Sequence, residues 1–392
     1  MATISSTADA SARARTLAPS LRERAARADT LRRIPDETID DLLKSGLLGL
    51  MTPRKFGGSA ASFSALVTAA AELSAACGSS GWIFCVFAGH NWVVGLFPER
   101  AQLEVFANPH ALTASVFRYP AEVTEVDGGY RLTKGNGRFA SGIDHADWLI
   151  AGVSVKRASG PPEPRMCLVP IRDVEIVDDW HTVGMRGTGS RSVRIAETFI
   201  PEHRTCATAE LMRGTSPGSK LHRDSRAFAV PFSVGSALCL VGAPLGMARG
   251  AFEAFATATT GRVRALDAEQ VAERGALFAR LSAAGAEIDA SAALILADCA
   301  YVDGLDNPEA IGAMDRARLR RDFAYAVDRS RAAANSLFAG AGGSAIYDGE
   351  FLQRVWRDLN AASAHVAFSW DDAVNDFGRA ALGLAPSRFA RV

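Results

Sequence analysis

The sequence predicts a mostly α-helical protein with a central β domain, and changes of periodicity along the 392 residues carry that expectation. Apolar residues recur at helical spacing from about Leu17 to about Pro109 and alternate in strand fashion from about Leu112 to about Cys206. They return to helical spacing after the loose Gly/Ser stretch near Gly214 to Lys220. The corresponding segments are 1–111, 112–225 and 226–392, and the chain is long enough for two or three domains. In the first segment, Ile34-Pro35-Asp36-Glu37 opens a helix that carries Ile39, Leu42 and Leu43 on one face, and Gly46 closes it. The turn-rich Thr52 to Gly58 then leads into a small-residue helix through Ala61 to Ala76. In the second, Val123, Val126, Tyr130 and Leu132 flank the hairpin signal Asp127-Gly128-Gly129, with further strands at Trp148 to Val155 and Met166 to Ile171. In the third, Val241 to Ala256, Ala268 to Tyr301 and Arg316 to Phe338 have the lengths of bundle helices.

Composition narrows the partners. Lys plus Arg and Asp plus Glu both number 43, so no global field draws the chain to nucleic acid or an anionic membrane, and a small-molecule partner is expected. The six cysteines (Cys77, Cys85, Cys167, Cys206, Cys239, Cys299) form no Cys-x-x-Cys pair, which argues for buried thiols in a reducing compartment and against a metal site or disulfide framework. The N-terminus lacks the apolar core of a signal peptide, and no uncharged apolar run reaches spanning length, so a soluble cytoplasmic protein is expected. No Gly-x-Gly-x-x-Gly unit follows a strand, which argues against a built-in nicotinamide site.

The most informative phrase is Trp180-His181-Thr182-Val183-Gly184-Met185-Arg186-Gly187-Thr188-Gly189-Ser190. Its glycines let the main chain approach a ligand, and its short hydroxyls supply hydrogen bonds. Four further landmarks accompany it in order: Gly46-Leu47-Leu48-Gly49-Leu50 leading to Phe56-Gly57-Gly58; Phe139-Ala140-Ser141-Gly142; Gly342-Gly343-Ser344; and Arg354 with Arg357-Asp358. Over nearly its whole length the chain resembles the acyl-CoA dehydrogenase fold, an N-terminal helical domain, a small β-barrel and a C-terminal four-helix bundle. Dehydrogenases of that fold commonly place a catalytic Glu shortly after the Arg-Asp pair. Here no carboxylate follows Asp358 until Asp371, and His365 stands in the interval. That pattern is similar to the flavin-dependent two-component monooxygenases built on the fold.

The resemblance implies an oxygenase that takes reduced FMN or FADH2 from a separate NAD(P)H:flavin reductase. It would hydroxylate a small phenolic or indolic aromatic with O2 through a C4a-hydroperoxide, as a homotetramer. An acyl-CoA dehydrogenase with a displaced base, an amine N-oxygenase, and a flavin-binding protein without catalysis remain alternatives. His365 is implied as the group that takes or shares a substrate proton, His90 as a second histidine at substrate or peroxide, and Ser141 as the neighbour of flavin N5. Trp82, Phe87, Phe368 and Ser115 are the implied substrate-pocket residues, with Trp82 to Gly89 supplying a dry apolar wall. Arg186, Gly187, Thr188 and Ser190 are implied around the flavin ring and ribityl chain. Arg262 or Arg264, with Gly342-Gly343 from a neighbouring subunit, would meet phosphate and nucleotide. His145 recurs in the branch or simply braces its loop. Gly137 stands where many members carry Trp, so the pocket wall there is expected to differ.

Overall fold

A computed structural model describes residues 3–157, 159–260 and 275–385. The candidate cofactor arginines Arg262 and Arg264 lie outside the described residues. Five helices come first: α1 (Thr7–Leu31), α2 (Asp36–Lys44), α3 (Phe63–Ala76), α4 (Gly78–Gly95) and α5 (Glu99–Phe106). Ser6 and Ser62 cap α1 and α3 by accepting the N–H groups of Asp9 and Ala65, satisfying donors that a helix start leaves orphaned. Helix α4 is apolar on every side, and all eighteen of its residues are buried, the mark of a helix packed all round.

The strands follow: β1 (Thr113–Val116), β2 (Ala121–Val126), β3 (Gly129–Ala140), β4 (Trp148–Lys156), β5 (Glu163–Pro170), β6 (Glu175–Val177), β7 (Arg191–Pro201) and β8 (Thr205–Ala207). They form one mixed sheet in the order β6-β7-β3-β2-β4-β5-β8, with β1 parallel to β4. The Asp127-Gly128 turn closes the β2–β3 hairpin, where Gly128 takes φ +73°. The sheet has its own core, in which Val123, Leu132, Leu149, Ala151, Val193 and Ile195 are buried.

Helices resume with the short α6 (Thr208–Arg213) and α7 (Pro217–Leu221), then α8 (Phe232–Thr259), α9 (Gly275–Gly304), α10 (Ala313–Gly340), α11 (Phe351–Ala362) and α12 (Trp370–Ala381). Helix α8 begins well before Val241 and carries only Arg249 and Glu253 as charges, so by length and composition alone it passes as a membrane span, contrary to the sequence expectation. Most of it is buried between α3, α4, α10 and α11, which accounts for its apolarity as that of a core helix. Gly242, Gly246 and Gly250 make the closest approach possible, since a Cβ at any of them would strike α3 backbone oxygens at 2.2–2.5 Å. All six cysteines are free and buried.

Candidate active site

Two loops converge beside α4. The first leaves β3 through a bulge: Gly137 pairs with Val193 and Ala140 with Arg191, so two residues of β3 oppose one of β7. Phe139, in that bulge, is held at φ +68°, a conformation that costs a non-glycine residue energy and is retained where the surroundings enforce it. Its exposed ring meets Trp180 edge-on at 6.1 Å. The second loop contains Met185 at φ +54°, and a turn over Arg186–Thr188 follows it. The Gly142 N–H donates to Thr188 O at 2.9 Å and locks the loops together.

Three hydroxyls join across this seam. Ser141 Oγ lies 2.7 Å from Ser190 Oγ, Ser190 Oγ lies 2.6 Å from Thr188 Oγ1, and Thr188 Oγ1 donates to Met185 O at 2.8 Å. Ser141 is half-buried, whereas Thr188 and Ser190 are buried. Gly142 at φ +75° packs on α4, where a Cβ would sit 2.6 Å from the Phe87 ring, and Gly187 packs on Ser79 and Ala28. The Arg186 side chain keeps a buried Nε with no hydrogen-bond partner. A hydroxyl, an orphaned guanidinium N–H, the exposed Phe139 ring and the half-buried Trp180 together form a set of polar and aromatic groups suited to a planar heterocycle.

Helix α11 clasps the same loop. Met185 N–H donates to Asp358 Oδ1 at 2.6 Å, Arg357 Nη1 donates to Val183 O at 2.7 Å, and Gly184 presses against the Arg357 carbonyl. Asp358 is fully buried, and burial together with nearby Asp29 pushes its carboxyl up to about 7, against the opposing pull of the Met185 N–H and two arginines. Nothing in the sequence beyond its place in the Arg-Asp pair signals this role.

His365 follows the end of α11. Its Nδ1 accepts the Ala367 N–H at 3.2 Å, which assigns the proton of the neutral ring to Nε2. Trp82 meets it edge-on at 5.5 Å and Phe368 lies 5.9 Å away, so three residues singled out in the sequence share one aromatic cluster. Trp82, Val86 and His90, spaced four apart on α4, keep 6–7% exposure while Ile83, Phe84, Cys85, Phe87 and Ala88 between them keep at most 1%. One stripe of the buried helix is therefore slightly less enclosed than the residues between, and the cluster stands at one end of it.

His90 stands at the other end. Its Nδ1 lies 2.5 Å from Thr113 O, an acceptor, so Nδ1 carries the proton and Nε2 the lone pair. Burial pushes its pKa down to about 4, so the ring is neutral at pH 7. Ser115 is half-buried on β1, two residues beyond Thr113 on the strand that packs against α4. Phe117 and Phe232, which sequence reasoning missed, extend the wall: Phe117 meets His90 edge-on at 5.7 Å and Phe232 at 5.2 Å. His145 braces its loop, with Nε2 2.8 Å from Ile34 O and burial lowering its pKa. The space beside Gly137 is filled from the sheet core by Tyr119 and Val116, which a larger side chain would strike at 2.5–2.8 Å. Gly342 and Gly343 lie exposed after α10, and a Cβ at Gly343 would meet nothing within 4 Å.

Comparison with known proteins agrees with this architecture. Residues 9–103 match the acyl-CoA dehydrogenase N-terminal domain model and residues 238–370 the acyl-CoA dehydrogenase C-terminal domain model. The chain is 34% identical over 377 residues to the FADH(2)-dependent resorcinol hydroxylase, oxygenase component, of Rhizobium sp. (strain MTP-10005), covering 93% of this chain and 92% of that one. The crystal structure of 3-HSA hydroxylase from Rhodococcus sp. RHA1 superposes with a TM-score of 0.91 at 32% identity, covering 96% and 97% of the two chains. XiaF from Streptomyces sp., in complex with FADH2 and glycerol, superposes with a TM-score of 0.87 at 28% identity, covering 97% and 96%.

Proposed function

We infer the function from one premise: the chain belongs to the acyl-CoA dehydrogenase family, among the oxygenase components of flavin-dependent aromatic monooxygenases. It is a flavin-dependent monooxygenase that receives reduced FMN or FADH2 from a separate reductase and hydroxylates a small phenolic or indolic substrate with dioxygen. The observation that carries this reading over dehydrogenation is His365, which lies against Trp82 and Phe368 and stands in the stretch after Arg357-Asp358 where the family resemblance implies a dehydrogenase carboxylate and this chain has none before Asp371.

The loop residues fit a flavin. Ser141 offers a half-buried hydroxyl at the seam of the two loops, the orphaned Arg186 Nε is a donor without an acceptor, and Gly187 keeps the backbone close to α4. The bound reduced flavin supplies the electrons that activate dioxygen. The protein's own part is to exclude water and direct hydrogen bonds. The Trp82–Val86–His90 stripe, with Phe117 and Phe232, supplies the largely apolar side chains that would keep water from the substrate. The two histidines are complementary by tautomer: His90 Nε2 is an acceptor for a substrate O–H or N–H, and His365 Nε2–H is a donor that steadies charge developing on a substrate oxygen. We read the open Gly342-Gly343 turn as facing a neighbouring subunit of a homotetramer, and the protein as cytoplasmic.

The test supplies photoreduced FMN anaerobically, mixes it with 18O2-saturated buffer, and screens resorcinol, p-hydroxyphenylacetate and indole. One 18O atom in a hydroxylated product, with no nicotinamide present, is expected. Bleaching of a tightly held flavin by an acyl-CoA, with no hydroxylation of any aromatic, would overturn the reading.

A further inference from the structure

We propose that Thr188 and Ser190 are positioning residues that fix the direction of the Ser141 hydroxyl, so that it accepts a hydrogen bond from its ligand and the cradle favours reduced over oxidised flavin. The inference rests on the reading that Ser141 faces flavin N5. Each hydroxyl owns one proton. Thr188 spends its proton on Met185 O, an atom that can only accept and that Trp180 Nε1 and the Thr188 N–H also hold, at 3.0 and 3.1 Å. The 2.6 Å contact between Thr188 and Ser190 must then use the Ser190 proton, and the 2.7 Å contact between Ser190 and Ser141 must use the Ser141 proton. The relay runs inward, from Ser141 to Ser190 to Thr188 to the carbonyl. Thr188 and Ser190 are 2% and 5% exposed, so bulk water offers their protons little alternative.

Only lone pairs of Ser141 remain for a ligand. Reduced flavin carries an N–H at position 5 and can donate to them; oxidised flavin presents a lone pair there and cannot. Reversing the relay so that Ser141 donates would give up the Thr188–Met185 bond. The resulting bias is therefore the worth of one hydrogen bond, about fivefold in affinity.

Dissociation constants are measured anaerobically for oxidised FMN, photoreduced FMN and reduced 5-deaza-FMN, which has a C–H group in place of the N5 donor. Wild-type protein is expected to bind reduced FMN about fivefold more tightly than reduced 5-deaza-FMN. T188V, which removes the terminal donor at equal volume, frees the relay to reverse. It should strengthen binding of oxidised FMN and lower the reduced-to-oxidised preference by about fivefold, while T188S keeps the wild-type ratio. If T188V fails to fold, S190A breaks the relay one step nearer the ligand and should lower the preference likewise. If S141A loses the preference while folded T188V and S190A both keep it, the relay does not set the direction and the proposal is overturned. If S141A leaves all three constants unchanged, the placement of Ser141 at N5 fails first.

Discussion

Asp358, buried near the middle of α11, accepts the backbone N–H of Met185, 173 residues earlier in the chain, at 2.6 Å. That bond holds Met185 in its left-handed conformation at φ +54°, and the turn that begins there carries Arg186, Gly187 and Thr188. Seven residues beyond Asp358 the chain reaches His365, so one short helix sets both the cofactor loop and the aromatic cluster around the histidine. A shift of α11 moves both.

The Asp358 carboxyl, at about 7 when folded against 3.8 for an ordinary Asp, holds its proton to a higher pH in the native state. The native protein therefore binds more protons than the unfolded chain between about pH 4 and 7, and stability is lost as the pH rises through that window, by at most on the order of 4 kcal/mol. D358N keeps an acceptor for Met185 and cannot ionise. Thermal melting should show the variant gaining on wild type from pH 5 to pH 8; parallel pH curves would remove Asp358 as the source of the slope.

His90 should give the opposite slope. Its folded pKa lies at about 4, below the ordinary 6.5, so the unfolded state takes up the proton first and stability is lost as the pH falls from about 6.5 towards 4. The gap corresponds to roughly 3 kcal/mol. H90N retains an amide N–H for Thr113 O without the titration, so urea unfolding of this variant at pH 7 and pH 4.5 should lack that component of the wild-type loss.

The order of helices, strands and helices is legible in the sequence because the apolar period switches at each junction, His365 and Phe368 are legible as candidates through their place after the Arg-Asp pair, and Trp82 through the apolar run that it opens. The Phe139 bulge is not legible, since it exists only by pairing with β7 more than fifty residues later. The Asp358–Met185 bond and the contact of His90 with Phe117 are likewise tertiary facts. Phe117 and Phe232 carry no local signal, because an aromatic at a strand or helix end reads as core until the fold brings it beside a histidine. Ser141, Thr188 and Ser190 are visible separately as short hydroxyls, but their relay depends on two loops meeting.

Gly142 tests how tightly the seam is built. Its φ of +75° and the Phe87 ring 2.6 Å from a would-be Cβ make G142A costly on both backbone and steric grounds, roughly 1–3 kcal/mol together. The melting temperature should fall, and reduced-flavin affinity should fall with it because Ser141 is the adjacent residue. F87L in the G142A background relieves the contact and should recover part of the stability; no recovery would show that Phe87 is not the obstacle.

Ser141 and His365 should separate the retention of oxygen from its transfer. S141A removes the hydroxyl at the loop seam and should raise hydrogen peroxide release per oxygen consumed, with product lost in proportion. H365A should also divert oxygen to peroxide, but with the cradle intact; hydrogen-bonding and acid–base assistance of this kind contributes on the order of a hundredfold to ten-thousandfold, and product formation should fall by that range. The assigned tautomer sharpens the expectation. With Nδ1 held by the Ala367 N–H, His365 acts by donating from Nε2, so H365N, whose amide also donates, should regain part of the turnover, whereas a residue needed as a proton acceptor would not be replaced by Asn. The measurement is the ratio of hydroxylated product to oxygen consumed in single turnover with photoreduced FMN. Wild-type product yield from H365A would make the histidine a structural neighbour of Trp82 and leave His90 as the histidine that acts on the substrate.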